Sequence, residues 1–179
     1  ENMQGTKRVV WIVAVLLALV SMLAACGGQA TQQPVAKRND LLQENRSAVK
    51  LEDRDIDLFV QRHGLVVDRS GTGVRHALLR DAQGETVRAG QWAMVRYRME
   101  LLNGDTAYTS SSDGPESFLV EEDDVESGLH EAIQHLSPGD SAIIIIPSYR
   151  AHGLIGDQDR VPPRSTVVYR IGLAGIKDR

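Results

Sequence analysis

Cysteine occurs once in the 179 residues, at Cys26, which excludes an intramolecular disulfide framework and a zinc site built from several thiolates. Aromatic side chains are nearly as scarce, with two tryptophans, four tyrosines and two phenylalanines, so the places they occupy are informative. Basic residues are in the minority, 20 Lys+Arg against 24 Asp+Glu. That balance lacks the excess of positive charge that a nucleic-acid-binding face requires. Beyond position 25 there is no long apolar run, and no internal repeat appears anywhere. The length allows one domain of ordinary size, or one small domain with a substantial extension, and excludes two large ones.

Hydrophobicity is front-loaded: 17 of the first 25 residues are apolar. Lys7 and Arg8 precede an uncharged stretch over residues 9–20, which is short for a bilayer span but fits the apolar region of an export signal. Leu23-Ala24-Ala25-Cys26 resembles the bacterial lipobox, in which the cysteine is acylated. The resemblance implies a signal peptide over 1–25, lipidation of Cys26, and an exported lipoprotein facing the periplasm. The outer membrane is its expected location, because no acidic cluster follows the cysteine. Anchoring of this kind depends on several acyl chains acting together.

Residues 26–38, rich in Gly, Gln, Ala and Pro, have the composition of a flexible tether. Residues 39–72 read as a helical extension and a loop. Ile56, Phe59 and Val60 fall at helical spacing and Gly64 supplies a stop, so a helix docking lightly on the domain is expected, with a solvated spacer as the alternative.

From residue 73 to 179 strands dominate. Ala93, Val95, Tyr97, Met99 and Leu101 alternate with Met94, Arg96, Arg98 and Glu100, predicting a half-buried antiparallel strand with a wet face. Asn103-Gly104-Asp105 turns the chain back. Residues 142–146 are apolar without interruption and closed by Pro147, as in a strand covered on both sides. A last strand directs Val167, Tyr169, Ile171 and Leu173 inward. One helix is evident, with Leu129, Ala132, Ile133 and Leu136 at i, i+3, i+4 and i+7, ended by Pro138-Gly139-Asp140. The predicted class is α+β, an antiparallel sheet of about five to six strands wrapped around one short helix.

Several separated motifs coincide with one family. They are Gly90 ahead of Val95-Arg96-Tyr97; Asn103-Gly104 leading to Tyr108-Thr109-Ser110-Ser111; Val125-Glu126-Ser127-Gly128-Leu129 opening the helix; and Pro138-Gly139-Asp140. Ile146-Pro147-Ser148 with Ala151-His152-Gly153 follows, then Val161-Pro162-Pro163 running to Tyr169. In this order they resemble an FK506-binding-protein-type (FKBP) peptidyl-prolyl isomerase. The leader, linker and preceding helix resemble the lipoprotein FKBPs of gliding and type IX-secreting bacteria. The resemblance implies proline-containing polypeptide clients and no cofactor.

Carried over residue by residue, Tyr97, Tyr108, Phe118 and Tyr169 fall on positions that line the prolyl pocket of the family. Val125, Leu129 and Val161 would complete its walls, with Leu129 beneath the proline ring. The backbone N–H of Glu126 would donate to a substrate carbonyl, and His152 stands where the family has a tyrosine donor. Thr109 replaces an acidic residue that would accept from Tyr97. Because X-Pro rotation needs an apolar, desolvating pocket and no nucleophile, the site is expected to be aromatic and nearly free of charge.

Competing chemistries lack the necessary spacing. The acidic run Glu121-Glu122-Asp123-Asp124 has no calcium-loop pattern and reads as a solvated or partner-facing loop. His130 and His135 do not share a helix face. Ser110, Ser111 and Ser112 lie in no nucleophile elbow. The alternative to catalysis is a docking or chaperone module of an envelope secretion or motility complex.

Overall fold

The computed structural model describes the backbone of residues 35–179 and the side chains of residues 38–179. The expected signal peptide, Cys26 and most of the expected tether lie outside the described residues. Two compact units divide the chain, Glu1–Gln43 and Glu44–Arg179, and the contacts below belong to the second.

Helix α1 spans Val35–Arg62, beginning before the expected end of the tether. Its stop is as anticipated. Gly64 adopts φ +61, its N–H donates to Gln61 O (3.2 Å), and the Leu65 N–H donates to Val60 O (3.1 Å), a Schellman closure. The docking is firmer than expected. Ile56 and Phe59 are buried with Ile143, Ile145 and Val168 in a cluster of their own. A buried Arg75 cross-links helix and sheet, donating at 2.7 Å to both Asp53 Oδ1 and Asp57 Oδ1 and at 3.0 Å to Gly73 O.

The strands are β1 (Asp68–Arg69), β2 (Arg75–Arg80), β3 (Trp92–Leu101), β4 (Thr106–Thr109), β5 (Glu116–Leu119), β6 (Ser141–Ile146) and β7 (Val167–Lys177). They form one sheet in the order β1-β2-β6-β7-β3-β4, with β5 also paired to β3, and every pairing is antiparallel. Among the described residues the sheet has seven strands, more than the five to six expected. The surplus includes two-residue β1, set in the turn-rich stretch read as a loop.

Alternation decides what faces what. On β6, Ala142, Ile144 and Ile146 enter the main core, whereas Ile143 and Ile145 meet α1, so this strand is covered on both sides as its unbroken apolar run predicts. On β7, Val167, Tyr169, Ile171 and Leu173 enter the main core. The outer face of β3 is less wet than predicted at Glu100. That carboxylate is buried because Arg98 (2.7 Å) and Arg170 (3.1 Å) neutralise it.

Helix α2 (Ser127–Ile133) is shorter than its apolar spacing suggests, with Leu136 just beyond the turn that follows it. Leu129, Ala132, Ile133 and Leu136 all lie in the main core. Gly128 lets the helix start sit directly on β6 and the residue before β2: an added Cβ would collide with Ile146 and crowd Val74.

Candidate functional site

Sheet register assembles the floor of a cavity of about 410 Å³. Met99 on β3 pairs with Tyr108 on β4 and with Tyr169 on β7, so the three side chains form a row across one face. Tyr97, two residues earlier, shares that face, and its ring centroid lies 5.5 Å from that of Tyr169. The loop before α2 adds Asp124, Val125 and Glu126, and the loop after β6 adds Ala151 and His152.

Of the nine residues expected at the pocket, six line the cavity: Tyr97, Tyr108, Val125, Glu126, His152 and Tyr169. Phe118, Leu129 and Val161 do not line it; all three are buried in the main core behind it. Leu129 lies on the apolar face of α2 within that core, and Met99, itself buried, is the residue that reaches the cavity floor. Phe118 packs edge-on against His130, with centroids 5.7 Å apart. Val161 closes the turn from Asp157: its C=O accepts from the Asp157 N–H at 3.1 Å and its N–H donates to Asp157 Oδ1 at 2.7 Å.

The site is not free of charge. The Glu126 side chain, 9% exposed, turns into the cavity and accepts from the Tyr169 hydroxyl at 2.8 Å. His152 Nε2 lies 2.9 Å from the same carboxylate oxygen but out of line for a hydrogen bond, and it is buried without a hydrogen-bond partner. The expected backbone role of Glu126 is compatible with this placement. Its C=O is committed to the N–H groups of Leu129 (2.8 Å) and His130 (3.1 Å), while among the described residues its own N–H has no partner.

Each phenol is held protonated by its surroundings. Burial, followed by the Glu116 carboxylate, pushes Tyr97 up to about 12. Glu116 is thus the carboxylate beside Tyr97, where the family's acidic residue is replaced by Thr109, which is exposed at the end of β4. Tyr108 rises to about 12 chiefly because its hydroxyl donates to Asp157 Oδ2 at 2.5 Å. Burial and then Glu126 push Tyr169 further up. Burial alone would raise Asp157, but Tyr108 and the N–H groups of Asp159, Arg160 and Val161 hold it well below the usual carboxylate range. The guanidinium of Arg160 covers the Tyr108 ring at 5.3 Å.

His130 has a role that helical spacing concealed. It is buried; its Nδ1 accepts from the Glu121 N–H (2.9 Å), which assigns the proton to Nε2 and makes that nitrogen a donor to Asp123 O (3.0 Å). Asp123 Oδ2 in turn accepts from the Leu119 N–H at 2.6 Å. The acidic run is therefore partly an internal scaffold that presents Asp124, Val125 and Glu126 to the cavity. Among the described residues no group of three or more His, Cys, Asp or Glu side chains is arranged to hold a metal ion.

Residues 83–174 match a family model described as FKBP-type peptidyl-prolyl cis-trans isomerase, just over half of the chain. The chain is 27% identical over 166 residues to a probable FKBP-type 25 kDa peptidyl-prolyl cis-trans isomerase of Pseudomonas aeruginosa, spanning 89% of this chain and 70% of that protein. It is 28% identical over 112 residues to the probable FKBP-type isomerase FkpA of Neisseria meningitidis, spanning 62% and 40% respectively. Among solved structures, a peptidyl-prolyl cis-trans isomerase from Pseudomonas syringae pv. tomato superposes with a TM-score of 0.64 at 26% identity, covering 74% of this chain and 96% of the other. FkpA from Escherichia coli gives a TM-score of 0.64 at 21% identity over 92% and 82%, a likeness of fold.

Proposed function

The chain belongs to the FKBP-type peptidyl-prolyl cis-trans isomerase family of enzymes, and we propose that it binds X-Pro segments in the cavity over Met99 and assists the folding of exported proteins. The observation that carries this reading is the row Tyr108, Met99 and Tyr169 with Tyr97 beside it, three aromatic rings and a thioether gathered at one cavity whose rim includes the Glu126 N–H, unpartnered among the described residues. Rotation about X-Pro faces a barrier of about 18–20 kcal/mol because amide conjugation is lost at the twisted geometry. Apolar walls around the ring desolvate the carbonyl and weaken that conjugation. A surface complementary to the twisted form then lowers the barrier with no nucleophile and no proton transfer.

Charge in the cavity is compatible with this chemistry because it is occupied. Glu126 is held by Tyr169, and Asp157 by Tyr108 and three N–H groups, so the phenols present their ring faces to a substrate while their hydroxyls are tied back. His152 lines the same cavity with its Nε2 buried against the Glu126 carboxylate at 2.9 Å, so a donor role toward a client carbonyl requires that nitrogen to turn outward.

The test is a protease-coupled or NMR exchange assay on an Xaa-Pro peptide. The wild type is expected to accelerate isomerisation, with Tyr108→Ala and Tyr169→Ala each lowering kcat/KM by about tenfold or more. A wild type with no activity would sink the reading and favour a docking module of an envelope complex. Export and anchoring through Cys26 belong to the same proposal and rest on the charged, apolar and small-residue order of the leader. Globomycin should cause the unprocessed precursor to accumulate; unaltered processing would count against the anchor.

A further inference from the structure

Helix α1 does more than shield the sheet. Glu52, in its middle, accepts three hydrogen bonds: from the Ser148 N–H at 2.6 Å, the Ser148 hydroxyl at 2.9 Å and the Thr166 hydroxyl at 2.6 Å. Ser148 and Thr166 are the two stems of the long loop between β6 and β7, which begins after Ile146 and ends at Val167. That loop supplies Ala151 and His152 to the cavity wall, and Asp157, which holds the Tyr108 hydroxyl. One carboxylate from outside the strand-rich module thus joins both ends of the segment that forms one side of the site.

The loop is also held at other points: Arg150 bonds to Ser127 and Glu131, the Arg160 guanidinium donates to Ala107 O at 3.0 Å, and the Gly153 N–H donates to Ser148 O at 2.7 Å. Asp157 gathers the N–H groups of Asp159, Arg160 and Val161, and the Arg164 N–H donates to Gly153 O at 2.9 Å. The sheet joins the two limbs below the stems, where Ile146 pairs with Val167, but among the described residues Glu52 is the side chain that bonds Ser148 and Thr166 at once. Its helix is itself held by the Arg75 cross-link and by Ile56 and Phe59.

We propose that Glu52 is a positioning residue for the isomerase site: by clamping Ser148 to Thr166 it sets the resting place of Ala151, His152 and Asp157, and makes α1 a working part of the enzyme. The effect on rate rests on the isomerase reading above; the effect on loop geometry does not. Glutamine at this position keeps one acceptor for the Ser148 N–H, and its amide can donate to a stem hydroxyl, so it conserves the clamp. Alanine removes the clamp altogether.

The experiment compares Glu52→Ala, Glu52→Gln and Phe59→Ala in the intact chain, well below their unfolding temperatures. Phe59→Ala opens a cavity in the α1 cluster and touches neither stem, so it reports general loss of helix docking. In the Xaa-Pro assay Glu52→Ala is expected to lose about tenfold or more in kcat/KM, since small misplacements of site groups have effects of that order. Glu52→Gln should stay within about threefold of wild type, and Phe59→Ala should lower Tm with kcat/KM retained. Amide NMR spectra should show Ala151 and His152 displaced in Glu52→Ala and unmoved in Glu52→Gln.

Unchanged kcat/KM and unmoved amides in Glu52→Ala would overturn the inference, as would an equal loss of kcat/KM in Phe59→Ala. If the wild type proves inactive, the function proposal falls, and the amide displacements alone still decide whether Glu52 holds the loop.

Discussion

A carboxylate nine-tenths buried among phenols loses much of its hydration, and only good partners offset that cost. Glu126 has one in the Tyr169 hydroxyl, at 2.8 Å, and the same bond helps to keep that phenol protonated. Tyr97 and Tyr108 are likewise raised, each to about 12 from an ordinary value of 10.0. The sign follows from linkage. Above about pH 10 the unfolded phenols release protons that the folded ones retain, so stability is fully present below pH 10 and declines between 10 and 12. Urea unfolding at pH 9 and pH 11 should show this decline, and Tyr169→Phe, which has no phenol to ionise, should show a smaller one. Equal declines in the two proteins would remove Tyr169 from the account. At this scale the tyrosines were legible from sequence because aromatics are scarce and Tyr97, Tyr108 and Tyr169 fall in recurring motifs. The Glu126 carboxylate was not, since its motif position speaks only for a backbone N–H, and what its side chain meets depends on a partner 43 residues away.

Elements were legible where a local pattern determines their surroundings. The unbroken run on β6 specified two covered faces, and the spacing of Ile56, Phe59 and Val60 specified a helix with one apolar side. The strength of docking was hidden, because it depends on pairings such as Arg75 with Asp57 and Glu52 with Thr166 that no window of neighbouring residues contains. The junction of β2 with the turn after α2 is another such pairing. His76 on β2 stacks on His135 with ring centroids 4.7 Å apart and planes inclined by 12°. Burial first, and then the neighbouring His135, push His76 below its ordinary 6.5, while Asp68 opposes the shift. An unfolded His76 therefore binds a proton that the folded one resists, so stability present above about pH 6.5 is lost as pH falls through the lowered value. Thermal unfolding at pH 7.5 and pH 5 should show a drop that is smaller in His76→Gln. A drop of the same size in both would mean that the stacked pair contributes nothing to it.

On the scale of the whole molecule, the segment whose motifs reveal the family is shorter than the compact unit that contains it. Those motifs begin near Gly90, whereas the compact unit begins at Glu44 and includes most of α1. Without that part of the helix the outer face of the sheet would present Ile143, Ile145 and Val168 to water, branched side chains on two neighbouring strands that are otherwise 4%, 0% and 0% exposed. Each is worth about 1.5–3 kcal/mol when fully buried, an upper bound once chain entropy released by the missing helix is set against it. A fragment 64–179 should therefore unfold at least about 10 °C below a fragment 44–179, the shift expected for a net loss near 3 kcal/mol in a domain of this size. It should also self-associate in size-exclusion chromatography through the uncovered face. A monomeric 64–179 fragment with an undiminished Tm would show that the strand-rich module stands alone and that α1 is an accessory. The opposite outcome makes the helix part of the minimal enzyme, and it fits the geometry in which one glutamate of that helix ties together both stems of the loop beside the site.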